Sequence, residues 1–132
     1  MKKLAAVGLF SLVLFACASG PRIPADAVLL GERTVPFLGD HDVLQVGTTE
    51  GWFRSLFIVV RDNDIQLYDV VVTYGNGERE HFDTRLDFSA DSRSRSLDLK
   101  GGKRMIKTVA FAYRTVGSWL EGRATVQVYG TR

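Results

Sequence analysis

The sequence feature with the greatest consequence for the fold is the turn Gly75-Asn76-Gly77, which separates two alternating apolar segments. An Asn-Gly pair in this setting is the strongest short-range signal for a β-hairpin, because a type I′ turn requires positive φ at both central positions. The return segment, 78–82, is charged, which is typical of an edge strand. The sequence therefore predicts an antiparallel hairpin at this point.

The strand that leads into this turn changes phase midway. Ile65 and Leu67 share one parity, whereas Val70 and Val72 share the other. Side chains alternate along a strand with a period of two, so the change of phase predicts an extra residue, a β-bulge, near Tyr68-Asp69.

The remainder of the chain continues as strands and turns, with no helical stripe in any window of 11 or more residues. The predicted strands are 28–35, 43–46, 53–61, 64–74, 78–82, 85–88, 94–99, 104–114 and 123–129. About nine short strands with regular turn signals predict an all-β fold, a single antiparallel β-sandwich of the jelly-roll or immunoglobulin-like kind. A small closed barrel is the main alternative.

The third predicted strand is apolar on both faces. Leu56, Ile58 and Val60 share one parity, while Phe57 and Val59 occupy the other. A strand that is covered on both faces lies inside a sheet, so we expect this strand to be central.

The N-terminus has the features of an export signal. Lys2 and Lys3 precede an apolar run of 13 residues, which is too short to cross a bilayer core of about 30 Å as a helix. The run ends in Leu14-Phe15-Ala16-Cys17, which resembles the bacterial lipobox. We therefore expect residues 1–16 to be a lipoprotein signal peptide and Cys17 to carry acyl chains such as palmitate.

The segment that follows has the composition of a linker. Residues 17–26 are predicted to be the lipidated cysteine and its tether, and residues 27–132 the folded domain. Ala18, rather than Asp, follows the cysteine, so the expected location is the bacterial cell envelope, on the outer membrane facing the periplasm.

Charge and cysteine content exclude some functions. The signal holds two of the 17 basic residues and none of the 15 acidic ones, so the mature part is neutral. Nucleic-acid binding requires a clustered positive surface, so no nucleic-acid partner is predicted. Cys17 is the only cysteine, and once acylated it leaves no thiol for a disulfide or for catalysis.

The sequence offers no recognisable catalytic constellation. Its two histidines, His41 and His81, lie in charged segments, and no Gly-x-Ser-x-Gly elbow is present. We therefore expect a protein that is not an enzyme and needs no cofactor. A cell-envelope glycan hydrolase with two facing carboxylates is the alternative.

Two acidic turns, Asp40-His41-Asp42 and Asp62-Asn63-Asp64, are weak candidates for a calcium site and for a calcium-dependent binding domain. Loops at one end of a sandwich can bring carboxylates together, and Ca²⁺ prefers oxygen ligands. The candidate ligands would be Asp40, Asp42, Asp62 and Asp64. The alternative is that Asp and Asn are ordinary turn residues, which bond to their own backbone.

Arginine is abundant after the hairpin, at positions 79, 85, 93, 95, 104, 114 and 123. We expect Arg79 and Arg93 to face solvent and, with Trp119, to bind a ligand. Arg104 and Arg114 flank a core strand and are expected to be structural. Ion pairs within the fold are the alternative for the whole set.

Three aromatic residues, Trp52, Trp119 and Tyr129, are candidates for a surface on which sugars stack, although such residues are often core or rim. The expected partners are therefore the membrane, through the lipid anchor, and an envelope glycan or another envelope protein.

Several residues between positions 50 and 130 form a pattern of turns and Arg/Asp pairs. They are Glu50-Gly51, Phe53-Arg54, residues 74–78, Ser94-Arg95, residues 97–99, Gly102, Arg104, Ile106, Tyr113-Arg114, Arg123-Ala124 and Gly130. Together they resemble a family of small exported bacterial proteins catalogued as a domain of unknown function. The resemblance implies an all-β envelope protein and transfers no catalytic residue. The overall expectation is an envelope lipoprotein that acts as a non-catalytic binding or structural module.

Overall fold

The computed structural model describes residues 20–39, 41–46, 51–83, 85–117, 120 and 122–132. The signal segment 1–16, Cys17, Asp40 and Trp119 lie outside these residues. The described residues form eleven β-strands and no helix. The strands are β1 (Val28–Val35), β2 (His41–Gln45), β3 (Trp52–Phe53), β4 (Ser55–Arg61), β5 (Ile65–Tyr74), β6 (Arg79–Phe82), β7 (Leu86–Phe88), β8 (Ser92–Arg93), β9 (Leu97–Asp98), β10 (Arg104–Thr115) and β11 (Ala124–Thr131).

The strands form two antiparallel sheets that pack as a β-sandwich, which confirms the predicted fold class. The first, sheet A, has the order β1-β11-β4-β8, with β9 also paired to β4. The second, sheet B, has the order β2-β10-β5-β6, with β3 paired to β10 and β7 paired to β5.

The strand count is higher than predicted because one predicted strand is divided in two and one short strand forms where none was predicted. The segment 53–61 breaks at Arg54, which separates β3 in sheet B from β4 in sheet A. Within the predicted strand 94–99 only the short strand β9 forms. Strand β8 lies just before this segment, between two predicted strands.

The core lies between the sheets and consists of inward side chains at alternate positions. Val126 and Val128 of β11 face Val109 and Phe111 of β10 across this core, and all four are buried. Tyr113 is also buried, as its parity with Phe111 predicts.

The predicted bulge is present in β5. Ala110 pairs with Val71, but Ala112 pairs with Tyr68, so β5 contains one extra residue between these positions. Asp69, in this stretch, has a φ of 54°. The bulge moves Val70 and Val72 onto the same face as Leu67, which explains the change of phase in the sequence.

The predicted hairpin is present, but its turn differs from the predicted type. Tyr74 and Glu78 face each other through a bond from the Tyr74 amide to the Glu78 carbonyl, so the loop has three residues. Of Asn76 and Gly77, only Gly77 has a positive φ, 90°. A type I′ turn needs two positive φ values, whereas a three-residue loop needs one residue in that region, and Gly77 provides it.

This loop marks one end of the sandwich, which we call the hairpin end. The hairpin end also contains the starts of β1, β4 and β10, because Val28 pairs with Gly130 and Arg104 pairs with Phe53. The opposite end carries the turns 36–39 and 62–64 and the end of β10, because Thr115 pairs with Ile65.

Strand β4 is central in sheet A, between β11 and the short strands β8 and β9, as predicted. Phe57 and Val59 point away from the core, yet both are fully buried. The Phe57 ring stacks on Tyr129 at 5.1 Å, and the Arg93 guanidinium lies 4.2 Å above its centroid. Arg93 also bonds to the Arg22 carbonyl, so residues near Arg22 lie over this outer face.

Candidate ligand-binding cleft

A cleft of about 270 Å³ opens at the hairpin end, where β3, β10 and the β5–β6 hairpin meet. Its walls are formed by Trp52, Tyr74, Gly75, Asn76, Arg104 and Met105. The cleft exists because β3 and β5 pair with the same strand, β10, near its start. Trp52 faces Met105 and Tyr74 faces Ile106, so the two partners flank β10 at neighbouring levels.

Trp52 provides the main apolar surface of the cleft. Its neighbour Phe53 is fully buried against Gly130, and the alternation of β3 places Trp52 on the other side. Trp52 is 55% exposed, which is unusual for a residue of this size. The indole is therefore available for stacking.

Arg104 forms a fixed polar wall. Its guanidinium carbon lies 3.8 Å from the centroid of the Tyr74 ring. Its Nη2 donates to Glu78 Oε2 at 2.9 Å, and its Nη1 donates to the Lys100 carbonyl at 2.9 Å. A guanidinium with partners on three sides cannot rotate freely, so this side of the cleft is preorganised.

A second polar group lies behind the Tyr74 ring. The Tyr74 hydroxyl donates to Glu80, and the Lys100 amide donates to the same carboxylate oxygen at 2.8 Å. Burial, followed by the bond to Glu80, raises the pKa of Tyr74 far above its ordinary value. The phenol therefore remains protonated. Through the Glu80 carboxylate, Tyr74 of β5 is connected to Lys100 in the turn before β10.

The carboxylate of Glu78 is held in its ionised form. The hydrogen bond from Arg104 lowers the pKa of Glu78, and the charges of Arg104 and Lys100 lower it further. A carboxylate with a lowered pKa is a poor general acid, and a phenol with a raised pKa is a poor general base. The charged groups of the cleft thus suit binding and orientation better than proton transfer.

Asn76 completes the polar rim. Its side-chain oxygen accepts from the Glu78 amide at 3.0 Å and from Arg104 at 3.4 Å. Its side-chain amide also bonds to the Glu78 carboxylate and helps to lower the pKa of that group. The cleft therefore combines one exposed aromatic ring with a small number of oriented polar groups, the usual composition of a small-molecule site.

The acidic turns have structural partners. Asp42 forms an ion pair with Arg33 at 2.8 Å, and Asp62 accepts from Thr125 at 3.0 Å. Asp64 accepts the Ala90 amide at 2.6 Å. Within the described part of the chain, no three potential metal ligands form a group. Asp40 lies outside it.

The arginines are arranged differently from the prediction. Arg79 is exposed, as expected, on the outer face of sheet B opposite Thr73. Arg93 was expected to face solvent but is half-buried, because it covers Phe57 and bonds to the Arg22 carbonyl. Arg114 was expected to be structural but is exposed, because its position in β10 points outward.

Arg104 is mostly buried, as expected of a structural residue, with 17% of its side chain exposed. Of the aromatic candidates, Tyr129 packs on Phe57, Trp119 is outside the described residues and only Trp52 lines the cleft.

Sequence reasoning missed Asn76 and Met105 as residues of a site. Asn76 was assigned only to the turn, and nothing in the local pattern of Met105 indicates a cleft. His81 lies 3.0 Å from Asp69, the bulge residue, and this exposed pair lies outside the cleft.

Comparisons with known proteins identify a family and no activity. No curated protein and no solved structure is significantly similar to this chain. No helix in the described part of the chain is long and apolar enough to cross a membrane. A family model described as domain of unknown function (DUF2541) matches residues 5–130, nearly the whole sequence. The chain is therefore a member of the DUF2541 family of domains of unknown function.

Proposed function

We propose that this protein is a lipid-anchored, non-catalytic binding module of the bacterial cell envelope, which holds a sugar residue of an envelope glycan in the Trp52 cleft. The observation that carries the proposal is the exposure of Trp52 beside fixed hydrogen-bonding groups. The apolar face of a sugar ring stacks on an indole, while its hydroxyls require donors and acceptors at the rim. The Asn76 amide and the Arg104 guanidinium are the polar groups at this rim.

The state of the charged groups supports a binding role. Glu78 is held ionised by Arg104, and the Glu80 carboxylate accepts bonds from Tyr74 and from the Lys100 amide. A glycan hydrolase needs one carboxylic acid with a raised pKa facing a second carboxylate. The cleft provides hydrogen bonds and a stacking surface instead.

Anchoring is the second part of the proposal. The motif Leu14-Phe15-Ala16-Cys17 follows an apolar run of signal-peptide length, and Ala18 favours transfer to the outer membrane. Stable attachment takes more than one acyl chain, as a mature lipoprotein carries. We expect Cys17→Ser to move the protein from the membrane fraction to the soluble fraction or to leave it unprocessed. A correctly cleaved Cys17→Ser protein that still fractionates with the outer membrane would contradict this part.

The cleft is tested with the purified lipidated protein in detergent micelles and with oligosaccharides released from cell-envelope glycans. We expect Trp52→Ala to weaken binding by about tenfold or more, since the loss of one well-placed aromatic contact is worth at least 1.4 kcal/mol. Leu38→Ala is the matched control, because Leu38 is 91% exposed at the opposite end of the sandwich. Equal binding by both variants and the parent would contradict the cleft proposal.

The same assay separates the two alternative functions. Shortened oligosaccharides after incubation would identify a hydrolase. Binding that requires added Ca²⁺ and is lost in Asp42→Asn or Asp64→Asn would identify a calcium-dependent module. Binding without turnover and without Ca²⁺ is the expected result.

A further inference from the structure

We infer that the glycan held by the Trp52 cleft is acidic, carrying carboxylate or phosphate groups that the basic rim of the hairpin end recognises. This inference rests on the proposed function and adds the ligand's charge to it. The sequence is neutral once the signal is removed, but the fold separates its charges.

The hairpin end collects basic residues. Among the described residues, seven basic side chains belong to this end: Arg54, Arg79, Lys100, Lys103, Arg104, Lys107 and Arg132. Four acidic residues lie there: Asp26, which precedes the start of β1, and Glu78, Glu80 and Asp98. The net charge of this end is +3, whereas the remaining described residues, with eight basic and eight acidic side chains, have a net charge of zero.

Position in the chain and strand register place several of these cations near the cleft. The Lys100 carbonyl accepts from Arg104, and Lys103 directly precedes that residue. Lys107 follows Met105 at a register shift in β10, between the pairs Ile106–Tyr74 and Thr108–Thr73. The guanidinium carbon of Arg132 lies 5.5 Å from the centroid of the Phe53 ring, and Phe53 follows Trp52 in β3.

Two of the acids at this end, Glu78 and Glu80, are already engaged. Glu78 forms its ion pair with Arg104 at 2.9 Å, and Glu80 accepts hydrogen bonds from the Tyr74 hydroxyl and the Lys100 amide. Lys103 and Lys107 are exposed and form no ion pair with any residue that the structure describes. These two lysines therefore leave positive charge at the rim that no described acid pairs with.

A rim of this kind distinguishes acidic from neutral sugars that stack equally well on Trp52. A cleft lined by charges of one sign concentrates ligands of the opposite sign, and its walls of low dielectric strengthen the effect. Exposed charges are screened over about 10 Å at 0.1 M salt, so the preference must weaken as salt is added. Stacking on the indole does not depend on salt in this way.

The test uses the lipidated protein in detergent micelles and three oligosaccharides of equal length and linkage: a neutral glucan, its uronate form and its phosphorylated form. Dissociation constants are measured at about 50 mM and about 500 mM NaCl. At low salt we expect one or both acidic sugars to bind about tenfold tighter than the neutral one. At high salt that preference falls several-fold. The tighter of the two acidic forms identifies the anionic group.

Charge variants separate the rim from the aromatic wall. Lys103→Gln with Lys107→Gln should reduce the preference for the acidic sugar to that seen at high salt, while leaving neutral binding unchanged. The matched control is Arg85→Gln with Arg123→Gln, which removes two exposed charges away from the hairpin end and should change neither. Loss of preference in the control pair would overturn the assignment to the rim.

The remaining outcomes test the acidic ligand and the proposed function separately. Equal, salt-independent binding of all three sugars that is lost in Trp52→Ala would overturn the acidic ligand and keep the proposed function. Failure of every sugar to bind would overturn both. A ten-nucleotide single-stranded DNA serves as a control polyanion. If this DNA bound as tightly as the acidic sugar to both the parent and Trp52→Ala, the rim would be a nonspecific anion surface. That result would overturn the inference.

Discussion

The Arg93 guanidinium donates a hydrogen bond of 2.7 Å to the carbonyl oxygen of Arg22, 71 residues earlier in the chain. The same guanidinium lies 4.2 Å from the centroid of the Phe57 ring, which stacks on Tyr129. Arg93 therefore joins the segment before β1 to an aromatic pair on the outer face of sheet A. This contact explains how Phe57 is fully buried although it points away from the core.

Replacing Arg93 with alanine should loosen the segment 21–27 and destabilise the domain. The variant loses one hydrogen bond and one cation–π contact, which together are worth roughly 1–3 kcal/mol. We expect faster amide hydrogen exchange in residues 21–27 and a lower midpoint of denaturant unfolding. Arg95→Ala, which removes an exposed arginine two residues away, is the control and should change neither. Unchanged exchange in Arg93→Ala would show that the segment is held by other contacts.

Gly77→Val should destabilise the domain through the backbone alone. Gly77 has a φ of 90°, and a Cβ there would meet no atom within 4 Å, so steric crowding by neighbours plays no part. A side chain in the left-handed region costs roughly 1–2 kcal/mol, and a β-branched one is the least tolerated. Gly77→Asn should cost less, because asparagine adopts this conformation more readily. Thermal melting of both variants checks the order, and equal melting temperatures would contradict it.

Local periodicity predicted the features that depend on neighbours in sequence. The phase change between Leu67 and Val70 located the bulge at Asp69, and the two apolar faces of β4 predicted a central strand. Each of these signals is a regularity of period two that the chain carries within about ten residues. Because the pleat alone imposes this period, the local sequence is sufficient to predict such features.

The environment of each arginine could not be predicted, because it depends on contacts distant in sequence. Arg93 and Arg114 exchange their expected roles: Arg93 covers Phe57 beneath Arg22, while Arg114 points outward from β10. The cleft could not be predicted for the same reason. Trp52 was one of three aromatic candidates, and only the pairing of β3 with the start of β10 brings it beside Arg104.

Arg104→Ala should be clearly more destabilising than Arg114→Ala. Arg104 stacks on Tyr74 and donates to Glu78 and to the Lys100 carbonyl, so its removal leaves these partners without a donor. We expect a loss of roughly 2 kcal/mol in the free energy of unfolding. Arg114 is exposed on the outer face, and its replacement should stay within about 0.5 kcal/mol of the parent. Denaturant unfolding of the two variants measures the difference, and equal losses would show that Arg104 contributes no more than a surface residue.

The ion pair between Arg104 and Glu78 should make stability depend on pH in the acidic range. Arg104 holds the pKa of Glu78 below its ordinary value of 4.5 in the folded protein. Because the folded pKa is the lower one, the pair stabilises the fold above pH 4.5, and this contribution is lost as the pH falls through the folded pKa. Glu78→Gln should therefore be less stable than the parent near neutral pH, and the two unfolding free energies should converge as the pH falls through the folded pKa of Glu78. In an Arg104→Ala background the same substitution should produce no pH-dependent difference, which assigns the effect to the pair. Denaturant unfolding between about pH 3 and pH 7 measures this dependence. A constant difference in unfolding free energy between parent and variant across that range would refute the assignment.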